Sequence, residues 1–160
     1  MPQLSYRDLN ETDLDAIHAI GSHWSVVRQL GSWPWPPDRA FTQSRCKPYE
    51  GSGFVWAICL DGTVCGSVAV TGRELGYALD PSVANQGIMS QATHHAVEHA
   101  FSTMDIPCLN AGIWFDNAPS RRVLVKLGFQ HWQSRFEHAL ARGFPVQSHY
   151  FRLQRADWTA

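Results

Sequence analysis

The sequence contains no uninterrupted run of 18 apolar residues, so it predicts no membrane-spanning helix. It also lacks an excess of charge of either sign, since 13 Lys and Arg residues balance 14 Asp and Glu residues. The resulting net charge of -1 at pH 7 gives none of the basic surface that binding to nucleic acids or membrane surfaces requires. The polar, acidic segment MPQLSYRDLNETDLDAI is unlike a secretory signal peptide, and we therefore expect a cytoplasmic protein.

Neither cysteine nor histidine occurs in a spacing that is typical of a metal site. The four cysteines form no CxxC pair, and three of them lie in strand-like apolar runs, which favours buried free thiols. Cys59 and Cys65 flank the segment LDGT and could face each other across a hairpin, but a stable disulfide is not expected there in a cytosolic protein. His95 and His99 are one helical turn apart without an HExxH pattern, so we predict no metal site.

The sequence does contain enough apolar material for a packed core. Of its 160 residues, 44% are hydrophobic and 17% are charged, which is typical of a folded chain rather than of a disordered one. This length corresponds to one domain, and we expect residues 1–160 to form it.

The order of the predicted elements indicates an α/β (α+β) domain built around one sheet. Two β-rich runs flank Asp61-Gly62, which is a strong signal for a hairpin. The segment ELGYALDP is predicted to be a third strand that ends at Pro81, and a long helix then leads to the strand PCLNAGIWF. Strands 75–79 and 109–115 should therefore be parallel, with a right-handed crossover between them.

The first 46 residues hold three predicted helical stretches, of which the second, HWSVVRQL, ends at Gly31, and an irregular segment separates the second from the third. YRDLNETDLDAIHAI predicts a short strand and then a helix capped at Asn10 or Thr12, and DRAFTQSRC predicts a helix capped at Asp38. Between them, GSWPWPPDRA carries three prolines and two tryptophans, which exclude a regular element. This loop is either a lid over a pocket or a packed corner.

Polar segments follow both of the strands predicted to be parallel. SVANQGIMS enters the long helix and DNAPS enters the next one, and the carboxyl ends of parallel strands are where open sheets bind ligands. A helix N-terminus offers free N–H groups and a partial positive charge, which suit a phosphate. Gly87 would let a phosphate oxygen approach the backbone closely, although an ordinary loop glycine would look the same.

Two long segments carry a resemblance to a known family. ELGYALDPSVANQGIMSQATHHAVEHAF, followed by DNAPSRRVLVKLGF, resembles the GNAT superfamily of acetyl-CoA-dependent N-acetyltransferases. The likeness is closer to the RimJ/RimL branch, whose members acetylate the N-termini of ribosomal proteins, and it runs from about residue 6 to residue 158. It implies a mixed, mostly antiparallel sheet with helices on both faces, which splays at a central parallel pair to admit acetyl-CoA.

The resemblance also implies which residues bind acetyl-CoA. It places the pyrophosphate at the N-terminus of the long helix, around Asn85, Gln86, Gly87, Ile88, Met89 and Ser90. It places pantetheine along the GYAL strand, beside Ala78 and Leu79. At the start of the helix that follows DNAPS, it places Asn117 against the cofactor arm and Ser120 near the thioester sulfur.

The sequence departs from the family pattern at three positions. In the glycine-rich loop, Ser82 stands where the family has Gln or Arg, and Asn85 replaces a glycine. Asn adopts left-handed backbone more readily than most residues, so we expect the turn to be preserved. Leu124 occupies the position of a tyrosine that is the general acid in many relatives, which leaves Ser120 as the expected proton donor to the leaving thiolate.

The expected reaction is direct attack of an amine on the thioester. A base, or a relay to water, must remove a proton from the ammonium, and N–H groups at a bulge in the GYAL strand would stabilise the oxyanion. We expect Glu74 to be the base and Glu137 to be the second choice. His138, next to Glu137, has an intrinsic pKa that suits a base near neutral pH better than that of a carboxylate. Each acid could equally be an exposed solubilising charge.

The acceptor is expected to be a protein or peptide N-terminus or a small amine, with Trp33, Trp35 and Phe144 lining its site if those rings are not core. We expect a monomer or homodimer with no nucleic-acid or membrane partner and no metal. The alternative function is a catalytically impaired acetyl-CoA-binding sensor or interaction module, which the atypical glycine loop and the missing tyrosine permit.

Overall fold

Seven strands form one mixed sheet, in the order β1-β2-β3-β4-β5-β7-β6, in a computed structural model that describes residues 2–159. Every neighbouring pair is antiparallel except β4 and β5, which are parallel. The strands are β1 Leu4–Asp8, β2 Gly53–Leu60, β3 Thr63–Thr71, β4 Glu74–Leu79, β5 Cys108–Trp114, β6 Gln130–Ala139 and β7 Phe144–Gln154. The predicted fold class and the central parallel pair are confirmed.

Five α-helices cover the two faces of the sheet. They are α1 Leu14–Ile20, α2 Trp24–Val27, α3 Arg39–Arg45, α4 Ile88–Thr103 and α5 Ala118–Leu127. The larger core packs α4 and α5 against one face, and alternate residues of β2 point to a smaller core with α1 and α3 on the other. In residues 2–159 no helix is long and apolar enough to cross a membrane.

The β2–β3 hairpin forms at the predicted turn. Asp61 and Gly62 have φ of 51° and 84°, the left-handed pair that a two-residue hairpin turn requires. A register shift between Ile58 and Cys59 places Cys59 opposite Val64 rather than Cys65. All four cysteines are buried and free, so they serve as small apolar core residues.

An ion pair between the exposed Arg7 and the buried Asp13 fixes the chain where β1 turns into α1. The carboxylate of Asp13 accepts two hydrogen bonds from Arg7, at 2.9 and 2.7 Å, and one from the Asn10 N–H at 3.0 Å. Asn10 in turn caps the short 3-10 turn Glu11–Asp13 that leads into α1, as the sequence predicts. The hydrogen bonds from Arg7 hold the pKa of Asp13 below its usual range despite its burial.

Asp13→Asn should lower the free energy of unfolding by about 2 kcal/mol at pH 7, because it leaves Arg7 without its charged partner. The control is Asp15→Asn, since Asp15 pairs with Arg39 but its side chain is 88% exposed, against 2% for Asp13. Urea unfolding measures both variants. The pKa of Asp13 is lowered on folding, so its contribution is present above the unfolded value of about 3.9 and is lost as the pH falls through the folded value. Equal effects of the two variants would contradict this role.

Candidate active site

The parallel strands β4 and β5 separate almost as soon as they meet. They share one paired position, Glu74 opposite Asn110, and the N–H of Asn110 donates to the carbonyl of Arg73 at 2.7 Å. Within the described chain no further pairing joins β4 to β5, although both strands continue for several residues. A wedge-shaped gap therefore opens in the middle of the sheet toward the carboxyl ends of the two strands.

A cleft of about 760 Å³ fills this gap, a size in the usual range for small-molecule sites. Its walls come from β4, β5, the N-terminal turn of α4, the first turns of α5, and α2. Lining residues include Ser25, Arg28, Leu30, Leu75, Gly76, Tyr77, Ala78, Leu79, Asn85, Gly87, Ile88, Met89, Ser90, Ala111, Ile113, Asp116, Asn117, Ser120, Arg122 and Lys126. Of the residues predicted to bind acetyl-CoA, Gln86 is absent from this lining.

The turn before α4 has the backbone that a phosphate cradle needs. Asn85 and Gly87 are both left-handed, with φ of 62° and 76°, and Gly87 is the N-cap of α4. A Cβ on Gly87 would meet nothing within 4 Å, so the space beside this backbone is open. Asn85 thus adopts the left-handed backbone expected of it, and the turn is present.

Among residues 2–159, the backbone groups of β4 that face the gap are free to bind a ligand. Thr71 and Glu74 close the hairpin between β3 and β4, and the N–H of Asp80 donates to Cys65 at 2.7 Å. In this register the even-numbered residues of β4 pair with β3, so the backbone groups of Tyr77 and Leu79 face the cleft. The β3–β4 ladder runs without a register shift, so the bulge expected in β4 is not there.

The first turn of α5 brings two predicted residues to the cleft. Asn117 is the N-cap, and its Oδ1 accepts the Ser120 N–H at 3.2 Å. This bond fixes the backbone of Ser120 at the cleft wall, where its hydroxyl lies beside that of Tyr77. Leu124, one turn further on, has no ionisable group and is fully buried in the core, so it cannot act as the general acid.

A second cavity of about 850 Å³ lies on the other face of β4. It shares Leu30, Gly31 and the segment 76–78 with the cleft, so the two spaces meet at β4. Trp33 lines this second cavity, together with apolar residues of α1. Trp35 packs against Trp24 at a tilted angle and is 40% exposed. Phe144 is 55% exposed, and neither Trp35 nor Phe144 lines the cleft or the second cavity.

The two candidate bases lie outside both spaces but differ in environment. Glu74 is at the closed end of the wedge, opposite Thr71, which lines the second cavity. Partial desolvation raises the pKa of Glu74, although Arg152 and Arg135 oppose the shift. Glu137 accepts hydrogen bonds from Tyr150 and Arg135, and these bonds outweigh its burial and lower its pKa. Glu74 is therefore the stronger base of the two.

Charged residues that the sequence did not single out surround the mouth of the cleft. Asp116 accepts two hydrogen bonds from Arg142 and one from Arg28, at 2.8 to 2.9 Å, and Arg142 also donates to the backbone carbonyl of Arg28. This cluster ties α2 to the β5–α5 turn and to the β6–β7 connection. In the sequence, the one signal for this cluster is the position of Asp116 at a strand end beside Asn117. Within residues 2–159, no three His, Cys, Asp or Glu side chains group as a metal site.

The family assignment follows from a comparison with protein-family models. Residues 3–130 match the model described as acetyltransferase (GNAT) domain, which is most of the chain. The chain belongs to the GNAT acetyltransferase family. An open wedge at the central parallel pair is what the resemblance to GNAT enzymes implies for the sheet, and it is found here.

Similar proteins agree with this assignment. The chain is 24% identical over 159 residues to the L-amino acid N-acetyltransferase AaaT of Escherichia coli (strain K12), covering 94% of this chain and 97% of AaaT. It is 26% identical over 165 residues to the uncharacterized N-acetyltransferase YoaA of Bacillus subtilis (strain 168), covering 94% and 93%.

Solved structures share the fold at lower identity. RimL, the ribosomal L7/L12 alpha-N-protein acetyltransferase in complex with coenzyme A, has a TM-score of 0.78 at 19% identity and covers 94% of this chain and 93% of its own. RimJ of Mycobacterium smegmatis in complex with CoA-disulfide has a TM-score of 0.78 at 18% identity, covering 94% and 81%. The GNAT fold is thus shown for the whole described sheet.

Gly87→Ala should weaken acetyl-CoA binding about tenfold, because a side chain disfavours the left-handed turn and re-aims the N–H groups that follow it. Gly62→Ala is the matched control, since Gly62 is also left-handed with open space at its Cβ but lies in the remote β2–β3 turn. Both variants should lose about 1 kcal/mol of stability. Calorimetric titration with acetyl-CoA should show weaker binding in Gly87→Ala only. An equal affinity in the two variants would mean that the α4 turn is not part of the binding site.

Proposed function

We propose that this protein transfers an acetyl group from acetyl-CoA to a primary amine, which is a protein or peptide N-terminus or a small amine. The observation that carries the proposal is the cleft between β4 and β5. Ser120 stands in its wall, the left-handed turn of α4 lies at one end, and the second cavity opens on the opposite face of β4. One substrate can therefore enter on each side of the same strand.

The residues present fit acetyl-CoA. The N-terminal turn of α4 offers free N–H groups for the pyrophosphate at 85–90, and Arg122 and Lys126 add positive charge to the same cleft. Beyond the Glu74–Asn110 position, the backbone groups of β4 that face the gap have no strand partner in residues 2–159, so they can pair with the amides of pantetheine beside Ala78 and Leu79. Asn117 would contact the cofactor arm.

When bound, acetyl-CoA supplies an activated acetyl thioester, and the protein positions it and manages the protons. The amine nitrogen bonds to the carbonyl carbon while the carbon–sulfur bond breaks and leaves its electron pair on sulfur. Ser120 donates its hydroxyl proton to that sulfur and regains a proton from water. N–H groups of β4 that face the cleft stabilise the charge on the carbonyl oxygen without a bulge.

Glu74 is proposed as the base that takes the proton of the amine, directly or through a water molecule. Its raised pKa makes it a better proton acceptor near neutral pH than Glu137, whose carboxylate is already held by Tyr150 and Arg135. Because Glu74 does not line the second cavity, a bridging water is the more consistent route.

The second cavity is proposed as the acceptor site. Trp33 and the apolar side chains of α1 suit an acceptor with an apolar part next to its amine. The relatives suggest two classes of acceptor, since AaaT is named for L-amino acids and RimL for the N-terminus of a ribosomal protein. Because Trp35 and Phe144 lie on the surface, a role in acceptor binding is restricted to acceptors large enough to extend beyond the cavity.

Ser120→Ala should lower kcat by about 10²-fold in a thiol-release assay across amino acids and N-terminal peptides, with an unchanged Kd for acetyl-CoA. The control is Ser102→Ala, which removes an exposed serine hydroxyl from the far end of α4. If Ser120→Ala has the same kcat as the unaltered protein, Ser120 has no part in the mechanism. Acetyl-CoA binding by the unaltered protein with no turnover on any amine would favour the sensor function instead.

Glu74→Gln should remove the acidic limb of the pH–rate profile. A base must be deprotonated to act, so activity falls as the pH drops through the pKa of Glu74, which partial desolvation raises above its usual range. Glu137→Gln should keep that limb, because the pKa of Glu137 is lowered. An acidic limb that persists in Glu74→Gln and disappears in Glu137→Gln would reverse the assignment.

A further inference from the structure

The hydroxyl of Tyr77 is a buried polar group that makes no hydrogen bond within residues 2–159. Most buried polar groups in folded proteins have a partner, and leaving one unmade costs about 1–3 kcal/mol. Only one other side chain among the described residues, the indole of Trp114, is left in this state. Tyr77 therefore carries a cost that packing alone does not explain, since phenylalanine would fill the same space.

Tyr77 lies at the point where β4 has already left β5. Its neighbours Leu75 and Leu79 on the same face of the strand pack with the core beneath α4 and α5. Its hydroxyl reaches the first turn of α5, and the polar group next to it there is the hydroxyl of Ser120. In this conformation the two oxygens do not form a hydrogen bond, but both residues line the cleft.

We propose that Tyr77 is a positioning residue for the acetyl transfer: when acetyl-CoA fills the cleft, the Tyr77 hydroxyl donates a hydrogen bond to Ser120 Oγ, so that the Ser120 hydrogen is aimed at the leaving sulfur. This role depends on the proposed function of Ser120. The Tyr77 hydroxyl is inaccessible and does not itself touch the substrate, so it acts through the serine.

The direction of donation follows from the surroundings. Burial raises the pKa of Tyr77 to about 12, against a smaller opposing effect of the neighbouring Ser120 hydroxyl, so the phenol stays protonated at working pH and is available as a donor. A serine oxygen can accept one hydrogen bond while it donates its own hydrogen. As the carbon–sulfur bond breaks, the electron pair moves to sulfur and the Ser120 proton moves toward it. The Tyr77 hydrogen bond then stabilises the negative charge that develops on Ser120 Oγ.

Tyr77→Phe removes only the hydroxyl and should lower kcat about tenfold with an unchanged KM for acetyl-CoA. Its thermal stability should be equal or higher, because a buried group without a partner is gone. In the Ser120→Ala background the same substitution should cause no further loss, since its effect passes through the serine. Unchanged kcat in Tyr77→Phe, or an equal loss in both backgrounds, would overturn the proposal.

A binding measurement tests the same contact without turnover. Hydrogen-bond donors near the sulfur stabilise the thiolate form of coenzyme A. The affinity of the protein for coenzyme A, divided by its affinity for S-methyl-coenzyme A, should therefore rise between about pH 7 and pH 9.5 as the thiol ionises. The other charged groups of the cleft, Arg28, Arg122, Lys126 and Asp116, also act on the thiolate, but they are the same in both proteins, so their effect cancels when Tyr77→Phe is compared with the unaltered protein. The rise should be smaller in Tyr77→Phe, and an identical rise in both proteins contradicts the proposal.

The two experiments also separate this inference from the proposed function. If the unaltered protein binds coenzyme A but acetylates nothing, the acetyl-transfer proposal fails, while the affinity ratio still decides whether Tyr77 supports a donor at the sulfur. If turnover is normal and both readouts are insensitive to Tyr77→Phe, the acetyl-transfer proposal stands and Tyr77 is a structural residue.

Discussion

The separation of β4 from β5 after the Glu74–Asn110 pair is the constraint on which the rest of the site depends. Backbone groups in a sheet interior normally pair with the next strand, but in the described part of the chain those on the β5 side of β4 have no such partner beyond this point. The protein tolerates this because the gap is open to a ligand on one side and flanked by helix termini on the other. The same gap puts Tyr77 and Ser120, from β4 and α5, next to each other.

Local sequence chemistry decides what surrounds the gap. The left-handed Asn85 and Gly87 end the loop after β4 so that the N–H groups of α4 face the cleft, and Asn117 starts α5 so that Ser120 does. The Asp116 carboxylate then joins this end of the sheet to α2 through Arg28 and to the β6–β7 connection through Arg142. The cleft and the second cavity are thus bounded by elements that are linked to one another by charge.

Features set by short segments could be predicted from the sequence. Asp61-Gly62 fixes the hairpin, Asn10 and Asp38 cap their helices, and the strand–helix–strand order requires the parallel pair. Features set by contacts between distant segments could not. The pairing of Arg142 with Asp116 joins residues 26 apart, and the unpartnered hydroxyl of Tyr77 depends on how far β4 turns from β5. The surface positions of Trp35 and Phe144 likewise depend on packing that composition does not encode.

The most direct test of this account is a crystal structure of the protein with coenzyme A. The account predicts that the ligand lies in the gap between β4 and β5, with its diphosphate within hydrogen-bonding distance of the N–H groups at 87–90 and its sulfur within reach of Ser120 Oγ. Coenzyme A bound at another surface, or β4 and β5 closed into a continuous ladder when the ligand is present, would contradict it.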